Sequence, residues 1–368
     1  MTTPPMTPER WRAVDAILQA ALGCPPEERA AFVADACGGD AALAREVEWL
    51  LAAAAGADNF LEVPAAAALG VAPPPVAERL ARALARRYAV EGEVARGGMA
   101  IVYRARDLRH DRTVALKVLR EEVASAVGAE RFLAEIRVTA SLQHPHVLPL
   151  FDSGTADGMP WYAMPFVGGE TLRDRLKRDG TLPVDEAVRV AREVADALDH
   201  AHARGVVHRD VKPENVLLHE GHALVADFGI ALALEEAGGE RLTRTGLAIG
   251  TPQYMAPEQA AGARALDARV DVYALGAILH EMITGEPPFA APTRQAVMLK
   301  LLHEAPPPLA ARRPGVSPWL ETAVRRALAK HPDDRYPSAA AFAAALAVPL
   351  DDSGPGPGAP AGAPTGGQ

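Results

Sequence analysis

The chain has 368 residues, 49% of them hydrophobic and 5% aromatic, enough apolar material for a sizeable core and too much for disorder as the default state. Its formal net charge of -9 argues against nucleic acid as the main partner, because phosphate binding needs a basic face. Two cysteines, Cys24 and Cys37, form no Cys-x-x-Cys pair; this argues against a disulfide framework or a zinc site and fits a reducing compartment.

Residues 8–54 read as three short helices. Trp11, Val14, Ile17, Leu18 and Leu22 fall at helical spacing. Pro25-Pro26-Glu27-Glu28 opens a second helix that Gly38-Gly39 ends, and Asp40 can cap a third with Leu43, Val47, Leu50 and Leu51 on its apolar face. Residues 1–62 are thus expected to form an N-terminal helical region, either a packing extension or a docking or regulatory module. An Ala/Pro-rich linker over 63–87, with Pro73-Pro74-Pro75, leads through a helical run from Val76 to Arg87. From Tyr88 the pattern changes to strands: Tyr88 to Val94, Ile101 to Arg106 and Thr113 to Leu119. A helix is expected from Ala129 to Leu142, then strands over 147–153 and 161–166, and from Thr171 the chain is mostly helical. This predicts an α+β fold, with a small sheet lobe over 88–165 and a larger helical lobe over 166–348. Residues 349–368 are Gly/Pro-rich and expected to be disordered. No apolar run reaches spanning length and no signal-peptide pattern opens the chain, so it reads as cytoplasmic, with a membrane tether beyond Gln368 left open.

Three stretches carry chemistry. Gly97 and Gly98 lie between two strands, where backbone N–H groups can approach phosphates; an ordinary turn reads the same way. Lys117, in the apolar strand Val114-Ala115-Leu116-Lys117, is costly to bury unless paired, and wants a carboxylate and an anionic ligand. Glu135 on the following helix is the natural carboxylate, with Glu130 a weaker candidate. The third stretch is decisive: His208-Arg209-Asp210-Val211-Lys212-Pro213-Glu214-Asn215, followed by Asp227-Phe228-Gly229. A carboxylate that accepts a hydroxyl proton suits Asp210, and two oxygen ligands for Mg2+ suit Asn215 and Asp227. A cation that neutralises a moving phosphoryl group suits Lys212.

On these motifs the sequence resembles the protein-kinase family, and within it the bacterial serine/threonine kinases related to eukaryotic ones, over about residues 88–348. The resemblance implies a bilobal fold with ATP between the lobes and Mg2+, or Mn2+ in its place, as cofactor. It implies that Lys117 contacts the α/β-phosphates and pairs with Glu135, that Asp210 is the catalytic base, and that Asn215 and Asp227 bind the metal. Met164 takes the gatekeeper position, and the backbone of Pro165 and Val167 meets the adenine edge. Val94, Val102, Ala115 and Leu217 sandwich the base. Ala95 and Ala100 stand where the first and third glycines of the phosphate loop would be, which predicts an altered loop.

Ala256-Pro257-Glu258, with Thr251 before it, favours a protein substrate with Ser/Thr hydroxyls. Arg335 matches the late arginine that pairs with Glu258, and Asp271 the aspartate that braces the catalytic loop. Arg209 beside Asp210 implies activation by phosphorylation of Thr243 and Thr245 in trans, through a transient homodimer. Two other readings remain: a pseudokinase scaffold that binds nucleotide or partners without turnover, and a kinase of small-molecule hydroxyls.

Overall fold

The computed structural model describes residues 17, 21, 29–38, 40, 43–44, 47, 75–228, 252–263 and 265–347, and all side chains within them but those of residues 29–31, 126–127, 130–131 and 135. The chain divides into two compact units, Met1–Pro75 and Val76–Gln368.

In the first unit, helix α1 (Arg29–Ala36) ends at Gly38, whose φ of 55° is a conformation glycine adopts without steric cost. Ala21, Val33, Cys37 and Val47 are buried together, with Ile17, Phe32 and Leu43 against them. Asp40 caps as expected: its Oδ1 accepts from the Leu43 N–H at 3.0 Å. The remainder of the three expected helices, Cys24 and the tail over 349–368 lie outside the described residues.

The second unit opens with helix α2 (Val76–Leu84), which turns Leu80 and Leu84 inward. Strands β1 (Tyr88–Arg96), β2 (Ala100–Asp107), β3 (Arg112–Leu119), β4 (Asp152–Ala156) and β5 (Met159–Pro165) form an antiparallel sheet in the order β1-β2-β3-β5-β4. Alternation along the strands gives the sheet two different faces. Tyr103, Val114, Leu116, Val118 and Ala163 pack on one face with Leu80 and Leu84 of α2. Val102, Ala115, Lys117, Tyr162 and Met164 share the other, because Val102 and Tyr162 stand opposite Lys117 and Met164 stands opposite Ala115.

Helices α3 (Glu121–Val127) and α4 (Ala129–Ala140) follow β3; α4 is the helix expected over 129–142, and α3 is an additional one before it. Gly128 separates them at φ 81°, outside helical backbone. Phe132 and Ile136 of α4 pack with Leu119, Val123 and Tyr162. The strand expected over 147–153 is displaced and begins at Asp152. Pro149 has no N–H for a ladder, and the chain before it bonds elsewhere: Leu148 N–H donates to Val225 O at 2.9 Å, and Val225 N–H to His146 O at 2.8 Å.

The helical lobe starts with β6 (Glu170–Thr171) and α5 (Leu172–Asp179), capped by a reciprocal Thr171–Asp174 box. Helix α6 (Val184–His202) leads to the loop before β7 (Val216–His219) and β8 (His222–Val225), which with β6 make a small sheet in the order β6-β7-β8. After α7 (Pro257–Ala260) comes α8 (Arg269–Thr284), buried from Val270 to Ile283 and the centre of the lobe. Helices α9 (Arg294–His303), α10 (Pro318–Ala327) and α11 (Ala339–Ala345) surround it. Gly276 lets α8 and α10 approach: a Cβ there would stand 2.8 Å from that of Ala327.

Candidate active site

The loop from Val206 to Asn215 joins α6 to β7, and α8 sets its backbone. Asp271, in the first turn of α8, accepts from the His208 N–H and the Arg209 N–H at 2.8 Å each, and its carboxylate is 2.7 Å from His202 Nε2. Arg209 has φ 65°, an uncommon conformation for a non-glycine residue, and the two bonds to Asp271 hold it there. His208 is fully buried and its Nε2 lies 2.9 Å from Ala226 O, joining this loop to the residue before Asp227. Gln259 of α7 donates to Arg209 O at 2.9 Å.

This scaffold brings three of the expected polar residues, Asp210, Lys212 and Asn215, into one bonded cluster, and two more, Lys117 and Asp227, form a second pair. Lys212 Nζ donates to Asp210 Oδ2 at 2.6 Å. Asn215 Nδ2 donates to Asp210 O at 2.8 Å, so its amide oxygen is the atom left for a ligand. Asp227, at φ 68°, receives Lys117 on Oδ2 and the Tyr162 hydroxyl on Oδ1, the latter at 2.6 Å. Burial by itself would raise the Asp227 carboxyl, yet Lys117 and the Tyr162 hydroxyl hold it below the ordinary carboxylate range. Burial, and then the Asp227 charge, push the Tyr162 phenol well above its ordinary value. Lys117 is therefore paired with Asp227; Glu135, its expected partner, and Glu130 lie outside the described side chains, as Gly229 lies outside the described residues.

Of the expected nucleotide residues, Val102, Ala115 and Met164 share the sheet face that carries Lys117. Gly97 and Gly98 make the turn between β1 and β2, where Gly97 N–H donates to Ala100 O at 2.9 Å. Val94 is exposed, Ala115 is buried at the centre of β3, and Val102 and Met164 are part-buried. Pro165 and Val167 lead out of β5, and Leu217 lies on β7. A cavity behind Met164 is bounded by Ile136, Leu148, Tyr162, Asp227 and Phe228. Thr139 of α4 donates to Phe228 O at 3.1 Å, tying α4 to the segment after Asp227.

Arg335 is sequestered with Glu258, at 2.6 and 2.7 Å to its two oxygens, and also donates to Ala329 O, Arg269 O and Lys330 O. Thr243, Thr245 and Thr251 lie outside the described residues. Tyr162 is the functional neighbour that sequence reasoning passed over. A tyrosine in the apolar stretch Trp161-Tyr162-Ala163-Met164 is a weak signal, and only the β3–β5 register puts it beside Lys117.

A two-lobed α+β unit with this loop, this lysine and this aspartate defines the protein-kinase class, and the protein kinase domain family matches residues 88–345. The chain belongs to that family. It is 42% identical over 269 residues to the serine/threonine-protein kinase PknB of Mycolicibacterium smegmatis, covering 72% of this chain and 43% of that relative. It is 41% identical over 269 residues to PknB of Mycobacterium tuberculosis, with 72% and 43% covered. To the serine/threonine-protein kinase pkn3 of Myxococcus xanthus it is 41% identical over 283 residues, 74% of this chain and 52% of the relative. The match thus spans about half the length of these relatives, or less. Among the described residues no helix is long and apolar enough to cross a membrane.

Proposed function

We propose that this chain is a serine/threonine protein kinase that transfers the γ-phosphoryl group of ATP to Ser and Thr hydroxyls of proteins. The observation that carries the reading is the convergence of Lys212 and Asn215 on Asp210, in the loop bonded to the residue before Asp227, which pairs with Lys117. Asp210 has an oxygen in reach of Lys212 and orients and accepts the proton of an incoming hydroxyl. Lys212 adds positive charge beside the transferring group. Lys117 is the cation for the phosphates, and exchanging its bond to Asp227 for one to a phosphate leaves a carboxylate oxygen for a metal.

Asn215 and Asp227 supply hard oxygen donors and fit Mg2+, with Mn2+ in its place. Among the described residues no group of three or more His, Cys, Asp or Glu gathers as a metal site, which suits an ion held by these two residues and by phosphates. Mg2+ there would offset phosphate charge. Val102, Ala115, Met164 and Leu217, with Val94 at the rim and the backbone of Gly97, Gly98, Pro165 and Val167, are the proposed nucleotide contacts. Glu135 is proposed as a further partner of Lys117.

Arg209 directly precedes Asp210 in the chain. On that chemistry Thr243 and Thr245 are proposed sites of activating phosphorylation in trans, through a transient homodimer, with Thr251 in the substrate loop. A cytoplasmic location is proposed with it.

The test is phosphoryl transfer from labelled ATP with Mg2+, to a generic protein substrate and to the chain itself. Wild type is expected to transfer, Asp210→Asn and Lys117→Met to fall by at least about a thousandfold, a loss typical of groups acting on phosphoryl transfer, and phosphosite mapping to find Thr243 or Thr245. Nucleotide binding without transfer by wild type would replace this reading with that of a scaffold.

A further inference from the structure

We propose that Tyr162 is a positioning residue for Asp227: its hydroxyl fixes the carboxylate in the arrangement that takes up the divalent ion. The inference rests on the reading of Asp227 as a metal ligand.

Tyr162 is 2% exposed and stands directly opposite Lys117 in the β3–β5 ladder, so both side chains leave the sheet on the same face. Both end on Asp227, one on each oxygen. They differ in stiffness. Lysine has a long flexible stem, and its ammonium has an alternative ligand in any bound phosphate. The tyrosine has two rotatable bonds, and its ring lies 6.2 Å from that of Phe132 on α4 at a tilt of 37°. Phe132, Ile136 and Met164 surround it with apolar side chains, and a buried phenol in such a setting keeps the hydrogen bond it has.

Asp227 needs such a fixed partner. Its backbone is at φ 68°, sparsely populated for a non-glycine residue, and Phe228 after it is anchored by Thr139 and by contact with His208, the rings 4.7 Å apart. Backbone anchors locate the Cα but leave the carboxylate free to rotate. When Lys117 turns to a phosphate, Oδ2 is released while Tyr162 still holds Oδ1. The carboxylate then presents the released oxygen without first having to be ordered. Hydrogen bonds to ligating carboxylates act this way in metal sites, and their loss weakens metal affinity by about 10–100-fold.

The measurement is equilibrium binding of a fluorescent ATP analogue to the full chain, titrated with Mg2+ and repeated in chelator. It is made on wild type, Tyr162→Phe, Asp227→Asn and the double variant, with the melting temperature of each. Tyr162→Phe keeps the ring and removes the hydroxyl. It is expected to raise the half-saturating Mg2+ concentration by about tenfold or more, to leave metal-free binding within about twofold of wild type, and to add nothing in the Asp227→Asn background. Phe132→Leu, which loosens the ring and leaves the hydroxyl, is expected to shift the half-point by a smaller factor.

An unchanged half-point in Tyr162→Phe overturns the inference, as does an equal loss in chelator or in the Asp227→Asn background, which would mark a general packing effect. If Asp227→Asn keeps the wild-type response to Mg2+, the metal assignment itself fails and the inference with it. If Asp227→Asn loses the response and Tyr162→Phe does not, the inference alone fails.

Discussion

Asp107, at the end of β2, organises the β2–β3 hairpin from a nearly buried position. It accepts from the Arg109 N–H at 3.1 Å and the His110 N–H at 3.3 Å, and Arg112 Nε reaches the same carboxylate at 3.3 Å. Burial works to raise its carboxyl, but the His110 side chain and these N–H donors win and hold it below the ordinary range. A carboxyl lowered in the folded state stabilises the protein above its unfolded pKa, about 4, and loses that contribution as pH falls through the lower folded value. Asp107→Asn is therefore expected to cost about 1–2 kcal/mol at pH 7. The gap to wild type in urea unfolding closes as pH drops below the ordinary carboxylate range; a gap that is the same at pH 3 and pH 7 would show that charge is not the cause. At the same scale, Asp210, Asn215 and Asp227 were singled out by residue type and spacing, and the structure sets Asn215 on Asp210 and Lys117 on Asp227. Tyr162 was not singled out, since its role depends on which residue of β3 lies opposite it.

Among elements, the contact between α7 and the turn before α11 is the sharpest. The Arg335 side chain has no exposure and Glu258 has 17%, and their paired hydrogen bonds tie α7 to the segment before α11. Removing one partner of a buried ion pair leaves the other uncompensated, at a cost of about 3–5 kcal/mol. Three backbone carbonyls still accept from Arg335, so Glu258→Gln is expected at the lower end of that range. Urea unfolding measures it, and a loss below about 1 kcal/mol, the worth of an exposed pair, would contradict the burial argument. Both residues were paired from sequence by resemblance. The displaced β4 was not legible: the run over 147–149 has strand-like side chains, but Pro149 and the bonds to Val225 take its backbone out of the sheet. The helix expected from Ala129 matches α4, whereas α3 (Glu121–Val127), before Gly128, was not marked in the sequence.

For the whole molecule, α2 belongs with the sheet lobe. The expected boundary put the linker and its lead-in helix together over 63–87, whereas the compact unit begins at Val76. Leu80 and Leu84 lie within the sheet's apolar cluster, and Arg79 is bonded to Glu121 at the start of α3 and, at 2.5 Å, to Asp157 beyond β4. Sequence showed an amphipathic helix there without showing what covered its apolar face. A chain starting at Val76 is the reference for this lobe. One starting at Tyr88 is expected to lose about 3–6 kcal/mol, the worth of burying two leucines. Equal midpoints for the two truncations would show that α2 contributes nothing to the lobe.

The sequence by itself determined the class of fold, the order of the two lobes and the motifs that place the chain in its family. Each of these is written in local signals: strand alternation, helical period, and a motif whose residue types and spacing follow from phosphoryl transfer. Only the tertiary structure decided which partners those residues take. Lys117 meets Asp227 and Tyr162 through the β3–β5 register and a crossing from one lobe to the other, and Asp271 reaches His208 and Arg209 across more than sixty positions of chain. Such contacts depend on how distant elements pack, and hydrophobic packing is non-directional, so no local pattern encodes them.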